Sequence, residues 1–232
     1  MASTPRPAKI VIGGTLLLVP VLLAVLAGPR FMAGVAVEPY HRVIDSAELG
    51  EKLSSSTYRD ASKALAGAPV DDGESLYQRA QTLVLSAETD PATIAQARVL
   101  DADALRAEPS NPSAWVLLCQ IDALKSPSDA NSCLSKAFVI GPYDWYTSER
   151  RMLLVAKEWP YLDEAVRDKA VSLVLPMWTL VWPFNNATLR GVLYELSYTE
   201  DGRQLLRAGF AGHRSDLRDF NRYVIEQNGY GR

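Results

Sequence analysis

Residues Asn111–Pro142 read NPSAWVLLCQIDALKSPSDANSCLSKAFVIGP, and they decide the fold class. Two runs of helix formers flank a Ser-Pro-Ser-Asp turn, so the stretch predicts an antiparallel helix pair. Asn111 can cap an orphan backbone N–H of the first helix, and Pro112 takes the first helical position, where no N–H bond is lost. The same Asx/Ser-Pro chemistry recurs at Asp90-Pro91 and Ser126-Pro127. Each pair predicts a helix start. Asp129, at the third position of the helix expected after Ser126, suits the positive end of its dipole.

Aligning the hairpin with the preceding segment gives matches at a constant offset of 33: Leu85 with Leu118, Ser86 with Cys119, Ala97 with Ala130, Ala104 with Ala137, and Pro109 with Pro142. Small residues at fixed places are what two closely approaching helices require, and a closing proline stops the second helix. In order, Trp115, Leu118, Cys119, Ala130, Ala137 and Pro142 resemble the tetratricopeptide signature. The turn is one residue shorter than usual. The preceding unit has Thr82 where the Trp belongs. A third unit, Thr147–Lys157 with Leu162–Val174, keeps helical spacing but little of the signature.

Around this centre the chain has 232 residues, 48% hydrophobic and 22% charged, with a net charge of −3. No Lys/Arg run of the kind that follows phosphates is present, which argues against nucleic acid as a partner. At the N-terminus, residues 1–9 carry Arg6 and Lys9, and Ile10–Pro29 is uncharged. Twenty apolar residues make roughly 30 Å of helix, a bilayer's hydrocarbon thickness. A cleaved signal peptide ending near Val25-Leu26-Ala27 competes with an anchor. The run exceeds the roughly 15 residues of a signal core, which favours the anchor. The positive-inside rule then predicts a cytoplasmic N-terminus and a periplasmic remainder, although Arg30 and Arg42 weaken the bias. The expected division is 1–9 cytoplasmic, 10–29 anchor, 30–72 connector and helix, and 73–232 helical domain.

Within 30–72, Ser46–Ala66 predicts one long or two short helices, with a weak point at Ser54–Ser56. Towards the C-terminus, helices are expected near Ala187–Leu196, Arg203–Ala208 and Ser215–Gln227. Leu217, Phe220, Tyr223 and Val224 would let the last one cap the stack. The fold class expected is all-α: a transmembrane helix, then a short degenerate array of antiparallel helix pairs with a C-terminal cap.

Cys119 and Cys133 lie seven residues either side of Ser126. In an antiparallel pair that puts them at one height, while convergence of their Cβ atoms depends on helix rotation. Two free thiols and a disulfide are both compatible with the spacing. An oxidising compartment favours the disulfide, which would contribute about 3 kcal/mol in the chain-entropy model.

No GxSxG, HExxH, P-loop or dinucleotide fingerprint occurs. His41 and His213 have no evident catalytic partner. The sequence thus predicts no catalytic residues, no metal site and no cofactor. The stretch Gly141–Arg151 (GPYDWYTSERR) joins aromatic and arginine residues, the composition of protein-binding hot spots. Trp145, Tyr146, Arg150, Arg151 and Gln120 are the candidate partner-binding residues, and aromatic faces also suit sugar rings. Tyr143, Trp145 and Tyr146 equally suit simple packing at the junction. Tetratricopeptide geometry would present Val116, Gln120 and Arg150 to a concave groove. Asn186-Ala187-Thr188 matches a glycosylation sequon.

An N-terminal anchor, a weak Trp/Ala/Pro repeat, Gly141-Pro142, Arg150-Arg151, Trp159-Pro160 and the helix Leu162–Leu173 together resemble small tetratricopeptide-like proteins. These are encoded with bacterial exopolysaccharide or O-antigen synthesis systems. The likeness runs from about Pro91 to the C-terminus. It implies a non-catalytic adaptor at a membrane, with a polysaccharide polymerase or exporter as partner. A general periplasmic chaperone or cell-division adaptor fits the same scaffold, and a glycan-binding or glycan-modifying protein is the alternative of another class.

Overall fold

Asp90 and Asn111 each open a helix as their Asx-Pro pairs predict. In the computed structural model, Asp90 accepts from the backbone N–H of Ala92 at 3.3 Å and of Thr93 at 3.1 Å. Its carboxylate also bonds the Thr93 hydroxyl, and that bond first, with the two backbone donors, holds it below the usual aspartate range. Asn111 accepts from the Ala114 N–H at 3.1 Å. The structure describes residues 53–67, 72–87, 90–142, 144–179 and 186–229, with isolated positions between 25 and 46. Among these residues the chain is all-helical, with no strand.

The chain divides into two compact units, residues 1–107 and 108–232. The boundary falls inside the 73–232 span expected as one domain. The first unit contains α1 (Ser55–Ala66), α2 (Gly73–Ser86) and α3 (Pro91–Ala107). Ser54, in the Ser-rich weak point, is the α1 cap and accepts from Thr57 N–H at 3.2 Å. Asp72 caps α2 through Ser75 N–H at 2.8 Å. Helix α2 packs against both α1 and α3. Ala61, Ala80, Ala97 and Ala104 are fully buried.

The second unit begins with α4 (Pro112–Lys125) and α5 (Ala130–Ile140), joined through a short 3-10 turn, Pro127–Asp129. The helix expected to start at Ser126-Pro127 is therefore corrected. Proline opens the 3-10 turn, and the α-helix begins three residues later. Ser126 makes no side-chain cap, its hydroxyl pairing with Ser128 at 3.0 Å, and Asp129 stands at the cap position of α5.

Next come α6 (Trp145–Lys157), a 3-10 turn at Trp159–Tyr161, α7 (Glu164–Thr179), α8 (Asn186–Leu196), α9 (Glu200–Gly209) and α10 (Arg214–Gln227). The helix expected to end near Val174 runs on through Pro176. An internal proline costs about 3 kcal/mol. Burial of Met177 and Trp178 on the far side offsets it. Trp178 sits edge-on to Phe220 and Tyr223, with centroids at 5.5 and 5.7 Å, and Phe210 stacks on Phe220 at 5.4 Å. Thus α10 packs on this core through Phe220 and the partly buried Leu217, Tyr223 and Val224.

Among the described residues, no helix is long and apolar enough to cross a membrane. A span needs about 20 apolar residues. The 17-residue α3 is shorter and carries Arg98, Asp101, Asp103 and Arg106. This overturns the expected single-pass inner-membrane placement with a periplasmic helical domain. The stretch 10–29 lies outside the described residues except Val25, Ala27 and Gly28.

Candidate binding site

The α4–α5 hairpin is a stapled pair. Cys119 and Cys133 form a disulfide across it, with Cα atoms 5.4 Å apart and 14 residues between them in sequence. Both are buried, as are Ala130 and Ala137, the small residues that let α5 lie close to α4. Trp115 bridges the pair from outside the staple. Its indole N–H donates to the Pro109 carbonyl at 2.9 Å, and the Lys136 ammonium of α5 lies 4.7 Å from its ring centre. Leu118 is half-buried beside it and Pro142 is exposed at the exit. Gly141 is required there by close approach: a Cβ would come within 2.9 Å of Pro112 Cβ, where α5 ends against the start of α4.

The Gly141–Arg151 junction divides its candidates. Arg151 is fully buried. It donates to the carbonyls of Ala137 at 3.2 Å, Gly141 at 2.7 Å and Pro142 at 3.3 Å, and its guanidinium lies 4.6 Å from the Phe138 ring centre. These acceptors are at the C-terminal end of α5, where a cation suits the dipole; the Ala137 and Gly141 carbonyls also accept the backbone N–H of Gly141 and Asp144. Burial pushes the Arg151 pKa down to about 10, with Asp144 opposing, so it stays charged at neutral pH. Arg151 is an internal clamp, not a surface contact, which corrects its expected role.

Val116 is likewise fully buried, so it lines no groove. Arg150 and Gln120 are half-buried. The side chains of Trp145 and Tyr146, the whole of Tyr143, and the side chains of the sequon residues Asn186–Thr188 lie outside the described residues. His213 precedes α10 with Nδ1 3.9 Å from Asp216. Among the described residues no cluster of His, Cys, Asp or Glu could hold a metal ion.

A cleft that the sequence did not indicate opens between α6, α8 and the start of α9. Its volume is about 210 Å³, and Leu153, Ala156, Lys157, Glu195, Leu196, Thr199 and Asp201 line it. Its floor is apolar, with Ala156 and Leu196 buried, and its rim carries the carboxylates of Glu195 and Asp201. One turn before Leu153, Glu149 has its pKa raised, first by burial and then by Glu195, with Arg150 opposing. Lys157 is drawn to the buried Glu158 at 3.3 Å. Thr199 on the rim caps α9 by accepting from Gly202 N–H at 3.0 Å, which fixes Asp201 in the first helical turn. In the sequence Glu149 stands inside the aromatic–arginine stretch Gly141–Arg151, and Glu195 is too distant for spacing to link the two.

The chain matches no protein-family model, no curated protein and no solved structure.

Proposed function

We propose that this chain is a non-catalytic, tetratricopeptide-like adaptor that holds protein partners of a polysaccharide-assembly system. The observation that carries this is the disulfide-stapled α4–α5 pair. It brings the signature residues Trp115, Leu118, Ala130 and Ala137 onto one hairpin, with both alanines fully buried. Such a pair is rigid, and rigid helix pairs present residues to partners with little ordering cost. The exopolysaccharide or O-antigen assignment rests on the sequence resemblance, with a polymerase or exporter as the partner.

The test is affinity purification of the tagged full-length chain after cross-linking in its own cells. Polysaccharide-assembly proteins enriched over a tag-only control support the proposal. Enrichment of division factors or of unrelated unfolded clients overturns the polysaccharide assignment. Turnover of an oligosaccharide by the purified chain overturns the adaptor role.

A further inference from the structure

We propose that the cleft between α6, α8 and α9 receives an arginine side chain from a partner protein; this rests on the adaptor role and names the chemistry of its contact. The volume comes first. About 210 Å³ lies below the roughly 300–1,000 Å³ of small-molecule sites. It is suited to a single long side chain.

Charge complementarity selects the occupant. The cleft couples an apolar floor of Leu153, Ala156 and Leu196 with a rim bearing Glu195 and Asp201. Amphipathic cations lay an aliphatic stem on such a floor and keep the charged head at the polar edge. The one cation in the lining, Lys157, is engaged with Glu158 at 3.3 Å. Glu149, half-buried one turn before Leu153, has its pKa raised first by burial and then by the Glu195 charge, with Arg150 opposing, so the Glu195 charge is felt on this side of the unit. A guanidinium offsets that charge. Its planar fork can also bond carboxylates from two directions, which an ammonium does less well.

The cleft also has a defined shape. Gly202 approaches the Leu196 carbonyl so closely that any Cβ there would collide with it, so α8 and α9 meet at one tight corner. That corner fixes Glu195, Thr199 and Asp201 relative to one another. Arginine would therefore meet a preformed rim.

The test titrates the full-length, isotope-labelled chain with N-acetyl-arginine methylamide and follows methyl resonances. N-acetyl-norleucine methylamide and N-acetyl-lysine methylamide serve as comparison probes. Saturable shifts at Leu153, Ala156 and Leu196 are expected with the arginine probe, weaker ones with lysine, and none with norleucine. Glu195→Gln and Asp201→Asn should each weaken arginine binding by up to about fivefold, the range of exposed ion pairs. Both positions are on the surface rim, and unchanged circular dichroism checks that the variants fold. Equal shifts with norleucine, no shifts with arginine, or affinity indifferent to both substitutions would overturn the proposal.

A second arm repeats the cross-linked purification with the Glu195→Gln, Asp201→Asn chain. Partners that remain in full while the probe titration fails sink the cleft and leave the adaptor intact. Arginine binding in a chain that captures no specific partner sinks the adaptor role, and with it the partner-borne arginine.

Discussion

Arg151 donates to the Gly141 carbonyl at 2.7 Å across ten residues of chain, tying α6 to the end of the stapled pair. The bond is one of three from this guanidinium to the α5 exit, alongside Ala137 and Pro142. Removing it leaves the Ala137 and Gly141 carbonyls with only their backbone donors, Gly141 N–H at 3.1 Å and Asp144 N–H at 3.2 Å, and forfeits hydrogen bonds from a charged donor, worth about 1.5–3 kcal/mol each. Arg151→Met, close in length, is expected to destabilise the 108–232 unit by about 2–4 kcal/mol. Arg151→Lys should recover only part, because one ammonium cannot reproduce the fork. Urea unfolding followed by tryptophan fluorescence measures both. A neutral Arg151→Met would mean that the clamp adds nothing to stability.

The Cys119–Cys133 disulfide closes a short loop within one helix pair. The chain-entropy model gives about 3 kcal/mol for a loop of this size. Thermal unfolding with and without reductant should show the 108–232 unit losing most of that on reduction. A Cys119→Ala, Cys133→Ala chain should be weaker from the start and indifferent to reductant. Thiol labelling of the denatured, unreduced protein should find no reactive cysteine. Two labelled thiols would refute the staple.

What the sequence made legible was local chemistry. Asp90 and Asn111 cap helices as side chains of their type do, and equal distances from Ser126 put two cysteines at one height in an antiparallel hairpin, although the spacing alone fitted free thiols as well as the disulfide. Rotation about a helix axis was harder. Arg150 and Arg151 differ by one residue, yet Arg151 shares the buried stripe of Ser148, Met152 and Val155 at spacings of three and four. The period carried this, and the composition of an arginine pair beside aromatics hid it. Pro176 misled for a related reason, since a local breaker is overruled when residues beyond it are buried. The cleft was invisible because helices distant in sequence build it. The membrane placement rested on the hydropathy run at 10–29, nearly all of it outside the described residues, while no described helix is long and apolar enough to cross a membrane.

Gly209 of α9 lies directly against Val174 of α7. A Cβ on Gly209 would stand 2.6 Å from both methyl carbons of Val174, which is fully buried and stiff at its branched Cβ. Gly209→Ala is therefore expected to cost about 1–3 kcal/mol by overpacking. Val174→Ala alone should also destabilise, by leaving a small cavity. Made together, the two should cost less than their sum, with a coupling of about 0.5–3 kcal/mol in favour of the pair. Strict additivity in a double-mutant cycle would show that the helices do not meet there.

Glu149 gives the pH dependence. Burial, then the Glu195 charge, raises its pKa, so the folded chain holds this proton more tightly than the unfolded chain does. Stability from the protonated group is fully present below the ordinary glutamate pKa of about 4.3 and is lost as pH rises through the raised value. At neutral pH the ionised carboxylate is thus a liability, reduced by its solvent exposure and by Arg150. Glu149→Gln should raise the unfolding midpoint at pH 7, and the gain should vanish as pH falls below about 4. Glu195→Gln should give part of the same gain, since it removes only the second cause. Thermal unfolding of the three chains between pH 4 and 8 reads both. A Glu149→Gln chain less stable than the parent at pH 7 would mean the carboxylate is held by a favourable contact, and the repulsion ascribed to this side of the cleft would be wrong.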